Sequence, residues 1–388
     1  MELYIAHSPY PHAGSVDLIS FLLVVLSSAT IYLNHYYLTM SSLKEYSLNI
    51  TEQEYHDLPA WSYSVIAKYA KEGFSSLATL HDKFAPTPSM EFGSLFDSMI
   101  TKGKATFDDY TVDDTSVPPA EKSVFDYLIS QGINGSFDEI SDTVLNIAIE
   151  NCPTFASKYK KWDTRRAKLN ECKSYYEARR TGKKIVSKQD WDDAAEMYNI
   201  FRKDSYLKDI FGTKNTDDVE YIYQSKFVLD YVLPSERTVQ IKFMPDLIIV
   251  NHKDKTIRPV DLKTSSMPAH DWWKENFVKY RYDIQANLYS TGLSLIIDKD
   301  PELQNYTILP YLFTDISRTD KVPVTYEYAP LDESQINGLT FYSGDKTYTY
   351  KGWEVLLDEI ISYEETQAKV PSYIKTDGPN NLLELLNN

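Results

Sequence analysis

A chain of 388 residues can bury a sizeable core, and 43% hydrophobic with 25% charged residues places it among globular rather than disordered chains. Its 56 acidic against 40 basic residues leave a net charge of -16, which excludes a protein that coats nucleic acid through clustered Lys and Arg but not an enzyme with one basic strip. The two cysteines, Cys152 and Cys172, exclude a disulfide framework, a four-cysteine iron–sulfur cluster and an all-cysteine zinc site, and make a reducing cytoplasm the default compartment.

Residues 16–33 form one apolar stretch near membrane-spanning length. No Lys or Arg precedes Lys44, so a signal-peptide n-region and a positive-inside bias are both missing, and Asp17 trims the effective length. The stretch reads as a buried or disordered extension, a marginal membrane anchor, or sequence upstream of a true start at Met40. The soluble-looking run from Met40 to Glu45 favours the last. The organisation expected is an apolar extension over 1–39, a single domain over 40–370 and a tail over 371–388. A helical insertion interrupts the domain at about 120–211, and no repeat or low-complexity linker divides it.

Ser62–Gly73 reads as a helix, capped by Ser62 or Ser64 and ended by Gly73. In Ser89–Ile100 the spacing of Phe92, Leu95, Phe96 and Met99 makes one helical face, with Asp97 beside it; such a carboxylate is ordinarily a solvated boundary residue. Thr106–Pro119 reads as a loop, and Glu121–Phe211 shows helical periodicity. Inside lies the one dense basic segment, with Lys160, Lys161, Arg165, Arg166, Arg179, Arg180, Lys183 and Lys184 interleaved by Trp162, Tyr175 and Tyr176. Cations alternating with aromatics suit tracking a phosphate backbone and stacking bases. A solvated helix face is the alternative, and the local reversal of sign in an acidic chain favours guidance of a polyanion.

A strand-rich region opens at Asp217, with Glu220 and Gln224 an even number apart and so on one face. Phe243–Val250 and Ile257–Thr264, joined by polar Asn251–Thr256, read as antiparallel neighbours. Alternation puts Asp261 and Lys263 on one face and Val260, Leu262 and Thr264 on the other. Met267–Asn276 is a loop carrying Trp272 and Trp273. Tyr280–Gly292 reads as a helix ended by its glycine, with Gln285 and Tyr289 one turn apart and Tyr282 three before Gln285. Strands follow over Tyr306–Ile316 and Val322–Tyr328, then an amphipathic helix over Trp353–Thr366.

If Asp246, at the start of its strand, lies beside Asp261 and Lys263, two carboxylates and an ammonium converge. A phosphodiester repels hydroxide by its own charge; a hard divalent ion on oxygen ligands lowers the pKa of bound water and neutralises the charge that develops. Asp246 and Asp261 would be ligands, with the Leu262 carbonyl a backbone ligand. Lys263 would orient or help deprotonate the water and offset transition-state charge. Alone, Pro-Asp followed by Asp-x-Lys arises by chance in many chains.

Gly93-xxx-Asp97, Pro245-Asp246, Asp261-Leu-Lys263-Thr264 and Gln285-xxx-Tyr289 together occur in the order of the PD-(D/E)xK nucleases of the RecB-like group. Gly182–Trp191, with Met197 and Tyr206–Phe211, resembles the helical lead-in of RecE-type and phage recombination exonucleases. The resemblance spans roughly residues 60–295. It implies an α/β fold with a restriction-endonuclease-like core, a mixed central β-sheet flanked by helices. It also implies dependence on Mg2+, with Mn2+ as the alternative, and exonucleolytic DNA degradation in phage or prophage recombination; an endonuclease or single-strand nuclease on the same core and a catalytically silent DNA-binding subunit are the alternatives. Carried over, Asp246, Asp261 and Lys263 are the catalytic centre, Asp97 joins the metal ligands, and Gln224, Gln285, Tyr289 and Tyr282 position the metal site or the DNA end. Implied partners are linear duplex ends, a single-strand annealing protein and further copies of the chain; no membrane partner is expected. Two departures stand out. The family's first motif usually ends in His, where Asp97 supplies a harder ligand that favours magnesium. The Glu often found on the strand before Pro-Asp is replaced by Gln224 or Glu220, which leaves the number of metals open.

Overall fold

The computed structural model describes residues 43–82, 86–114, 117–212, 214–330, 337–343 and 345–366, so the apolar stretch over 16–33, the start at Met40 and the tail over 371–388 lie outside the described residues. In chain order the first strands are β1 (Tyr110–Val112) and β2 (Lys184–Val186), a short parallel pair. A short helix over Thr106–Asp109 and β1 interrupt the loop expected over Thr106–Pro119, because a three-residue strand paired across more than seventy positions leaves no local periodicity to read. The hairpin β4 (Phe227–Val232) and β5 (Thr238–Phe243) follows β3 (Val219–Tyr223). Then come β6 (Leu247–Asn251), β7 (Thr256–Ser265), the two-residue β8 (Thr307–Ile308), β9 (Tyr311–Ser317) and β10 (Pro323–Tyr328).

The central sheet runs β10-β9-β7-β6-β3, with β8 beside the start of β7. β6 and β7 are antiparallel, with Leu247 opposite Val260, as two apolar runs across a charged turn require. β7 and β9 are parallel, with Asp261 opposite Phe313 and Lys263 opposite Asp315. The sheet is therefore mixed, and both faces are covered by helices. On one face Leu247, Val260, Leu312 and Ile316 pack with the helices Pro88–Lys102, Lys188–Lys203 and Ser205–Ile210. On the other, Ile248, Ile257, Tyr311 and Phe313 pack with Tyr63–Glu72, Tyr282–Lys299 and Trp353–Thr366.

Two glycines set how close the helices come. The Pro88–Lys102 helix begins on Thr87, whose hydroxyl accepts the Met90 N–H (3.3 Å), and lies so near β7 that a Cβ on Gly93 would stand 3.2 Å from Thr264 Oγ1. Gly292 does not end its helix, which continues to Lys299. A Cβ there would fall 2.2 Å from the Phe243 ring, so this glycine serves a tertiary approach rather than a terminus.

The helices expected as an insertion divide between two cores. Those within 119–179 enclose their own, around Val124, Phe125, Phe137, Leu145, Phe155 and Tyr176. Ala194, Met197, Phe201, Leu207 and Phe211, from the later helices, join the sheet's core. Among the described residues no helix is long and apolar enough to cross a membrane.

Candidate active site

Asp246 precedes β6, at the end of the sheet where β6 and β7 part. Its Oδ2 accepts the Leu262 N–H (2.7 Å), and its carbonyl accepts the Gln224 N–H (3.1 Å). Gln224 stands just past β3 with φ of 48°, a left-handed turn that takes it out of the strand's alternation and directs its amide to Asp97 Oδ2. Glu220, expected on the same strand face, lies opposite Val250 towards the other end of β3, 3.5 Å from Lys44 and 3.9 Å from His252. The position beside Asp246 thus belongs to Gln224.

Asp261 is 1% exposed. Its Oδ1 accepts from Gln285 Nε2, and its Oδ2 is ion-paired with Lys263 Nζ, itself 4.7 Å from the Tyr282 ring centre. One turn beyond Gln285, the buried Tyr289 sets its ring 5.7 Å from that of Phe243. The helix Tyr282–Lys299 therefore clasps both Asp261 and the segment that leads into Asp246. Leu262 packs its side chain on the opposite face and enters the site through its N–H.

Burial, then the charge of Asp261, pushes Asp97 up to about 7. Burial, followed by Asp261 and Asp97, drives Asp246 well above the usual carboxylate range. Burial by itself would lower the Lys263 ammonium, but the adjoining Asp261 outweighs it and holds Lys263 above its ordinary value. Asp97 and Asp246 are thus each costlier to ionise beside the charge of Asp261. Asp97 Oδ1 and Gln285 Oε1 are buried with no hydrogen-bond partner among the described residues. Hard oxygen donors that repel one another and leave acceptors unmatched fit a hard divalent cation, with Asp97, Asp246 and Asp261 to hold it. As placed, no three His, Cys, Asp or Glu side chains among the described residues gather tightly enough to ligate one ion, Asp97 being turned to Gln224 and Asp261 to Gln285 and Lys263.

These directions carry a pH signature. A carboxyl held higher in the folded than in the unfolded chain keeps its proton better when folded, so its contribution is full below its unfolded value and is lost as pH rises through the folded one. For Asp97 that window runs from 3.8 to about 7. A cation that stabilises the ionised cluster should raise the melting temperature more at pH 8 than at pH 5.5. Thermal-shift curves with and without Mg2+ check this; an equal gain at both pH values would count against the cluster as the binding site.

The basic segment is largely used within its own unit. Arg165 donates to the Tyr159 and Ala156 carbonyls (2.8 and 3.2 Å), Arg166 pairs with Asp142 (2.7 Å), and Arg180 pairs with Glu177. Lys183 donates to the Phe107 carbonyl (2.7 Å), and Lys184 lies over the Tyr110 ring (5.7 Å). Tyr176 is fully buried, with its hydroxyl on the Ile133 carbonyl (2.8 Å), and Trp162 and Tyr175 pack against the same core, so they are structural rather than open stacking platforms. Lys160, Lys161 and Arg179 are exposed and make no ion pair among the described residues.

Sequence reasoning missed Asp315. It is fully buried on β9, directly across from Lys263; its Oδ2 accepts from Ser265 Oγ (2.9 Å), and burial pushes it up to about 7. The available signal was an acid inside the apolar run Tyr311–Ile316, where solvent cannot explain it. Tyr63, whose hydroxyl donates to the Tyr280 carbonyl (2.7 Å) and whose ring stands 6.2 Å from that of Tyr282, was missed as well.

No protein-family model matches the chain, and no curated protein matches it. Among solved structures, one titled "Crystal structure of SSO0001" is similar over 57% of this chain and 80% of its own, at 12% identity and a TM-score of 0.25. A likeness that slight carries no argument about fold or activity.

Proposed function

We propose that this chain is a metal-dependent deoxyribonuclease that shortens linear DNA from its ends. The observation that supports it is the meeting of Asp97, Asp246, Asp261 and Lys263 at one end of a mixed sheet, with Gln285 locking Asp261 and Tyr282 beneath the lysine. A bound Mg2+ or Mn2+ would neutralise phosphate charge and activate water. Asp97, Asp246 and Asp261 would hold it once Asp97 turns from Gln224 and Asp261 frees an oxygen; Gln285 fixes the angle of Asp261. Lys263 sets a positive charge where a phosphoryl oxygen gains negative charge, and the Tyr282 face limits the directions its ammonium can take.

The test is incubation of the purified chain with linear duplex DNA and Mg2+, beside the same duplex as a closed circle. Release of nucleotides from linear DNA alone is the expected result. Equal cutting of the circle replaces the end-directed reading with an endonuclease on the same site. No hydrolysis of either overturns the proposal.

Of the basic segment, Lys160, Lys161 and Arg179 are the cations placed to meet a phosphate backbone. Changing all three to Glu should weaken duplex binding about tenfold at low salt and flatten its salt dependence by about one unit of slope per lost phosphate contact. Fluorescence anisotropy across a salt series reads both. An unchanged slope would reduce these residues to a solvated surface.

A further inference from the structure

Asp261 has a conflict built into it. One oxygen is held by Gln285 and the other by the Lys263 ammonium, yet a cation bound at Asp261 must take at least one of them. A half-buried lysine such as Lys263 that loses its counter-ion is costly unless a second carboxylate lies within reach.

One does. Residues opposite one another on neighbouring strands point to the same face, so the register that sets Lys263 against Asp315 puts the Asp315 side chain on the face of Asp261 and Lys263. Neighbouring strands lie about 5 Å apart, a gap that a lysine side chain spans by changing rotamer with no movement of the backbone. Asp315 is wholly buried; Ser265 fixes its Oδ2, and its Oδ1 has no hydrogen-bond partner among the described residues. A buried acceptor left unmatched costs stability in every state except the one that supplies its donor.

We propose that Asp315 is a positioning residue for Lys263, the second counter-ion to which the ammonium moves when a divalent cation claims Asp261. This inference rests on the reading of Asp261 as a cation ligand. Asp315 then does not touch the cation; it keeps Lys263 charged, paired and aimed across the site.

Calorimetric titration of the full chain with Mg2+ alone, without DNA, tests it in a double-mutant cycle. Asp315→Asn should weaken Mg2+ binding about tenfold, because the ammonium then competes for Asp261, whereas the same change in a Lys263→Ala background should alter it less than about twofold. Equal losses in both backgrounds would mean that Asp315 acts only as a distant charge, and unchanged binding in the single variant would mean that it does nothing here; either result overturns the inference. Should Asp315→Asn fail to fold, Ser265→Ala leaves both charges in place but loosens Asp315: weaker binding supports the inference, unchanged binding overturns it. A wild-type chain that binds no Mg2+ sinks both this inference and the nuclease reading, whereas a binding wild type with an indifferent Asp315→Asn sinks this one alone.

Discussion

Asp261→Asn and Lys263→Ala should each lower DNA hydrolysis by about a thousandfold or more at saturating Mg2+, with little change in melting temperature. The asparagine keeps the volume of Asp261 and an oxygen for the Gln285 amide to donate to, so the packing of a 1% exposed side chain survives while its charge is lost. Lys263 retains 19% exposure at its side chain and touches Asp261 and the Tyr282 ring, so truncation opens no large apolar cavity. What disappears in either variant is charge that acts where the phosphate changes charge, and such a loss appears in the rate rather than in the fold. Single-turnover assays beside thermal melts separate the two. A rate within about threefold of wild type for either variant would remove that residue from the chemistry.

The parts of this site that lie close together in sequence were legible. Period-two alternation and a charged turn were enough to set Asp261 and Lys263 on one face of an antiparallel partner of β6, and helical spacing set Gln285 and Tyr289 one turn apart. Parts that depend on backbone irregularity or distant register were not. Gln224 takes its place by a left-handed φ of 48°, which no propensity assigns to glutamine, so it looked interchangeable with Glu220 on a regular strand. Asp315 comes to stand opposite Lys263 through a parallel pairing that spans an entire helix, and nothing within a few residues announces the register. The basic segment showed its charge but not its partners, because Asp142 meets Arg166 from another helix of the insertion.

Gly292 shows the same limit in its most testable form, since a glycine one turn past Tyr289 reads as a helix end and is instead a point of contact. Gly292→Ala should destabilise the chain by about 2–4 kcal/mol, although alanine in a helix interior is favoured over glycine by about 1 kcal/mol. The added Cβ would lie 2.2 Å from a Phe243 ring that is fully buried, stacked on Phe227 at 4.9 Å and set against Tyr289 at 5.7 Å, so the ring has nowhere to go. The helix must retreat, and the same helix holds Gln285 on Asp261 and Tyr289 against Phe243. Activity should therefore fall further than the loss of folded protein explains. Gly135→Ala, whose Cβ would meet only Glu139 at 3.6 Å, is the control and should stay within about 0.5 kcal/mol of wild type. Urea melts and rates measured on the folded fraction give both quantities. Phe243→Leu in the Gly292→Ala background should recover part of each, since a smaller side chain at 243 lets the helix return. Recovery of stability without recovery of rate would show that the glycine holds the core together but does not set the position of Gln285.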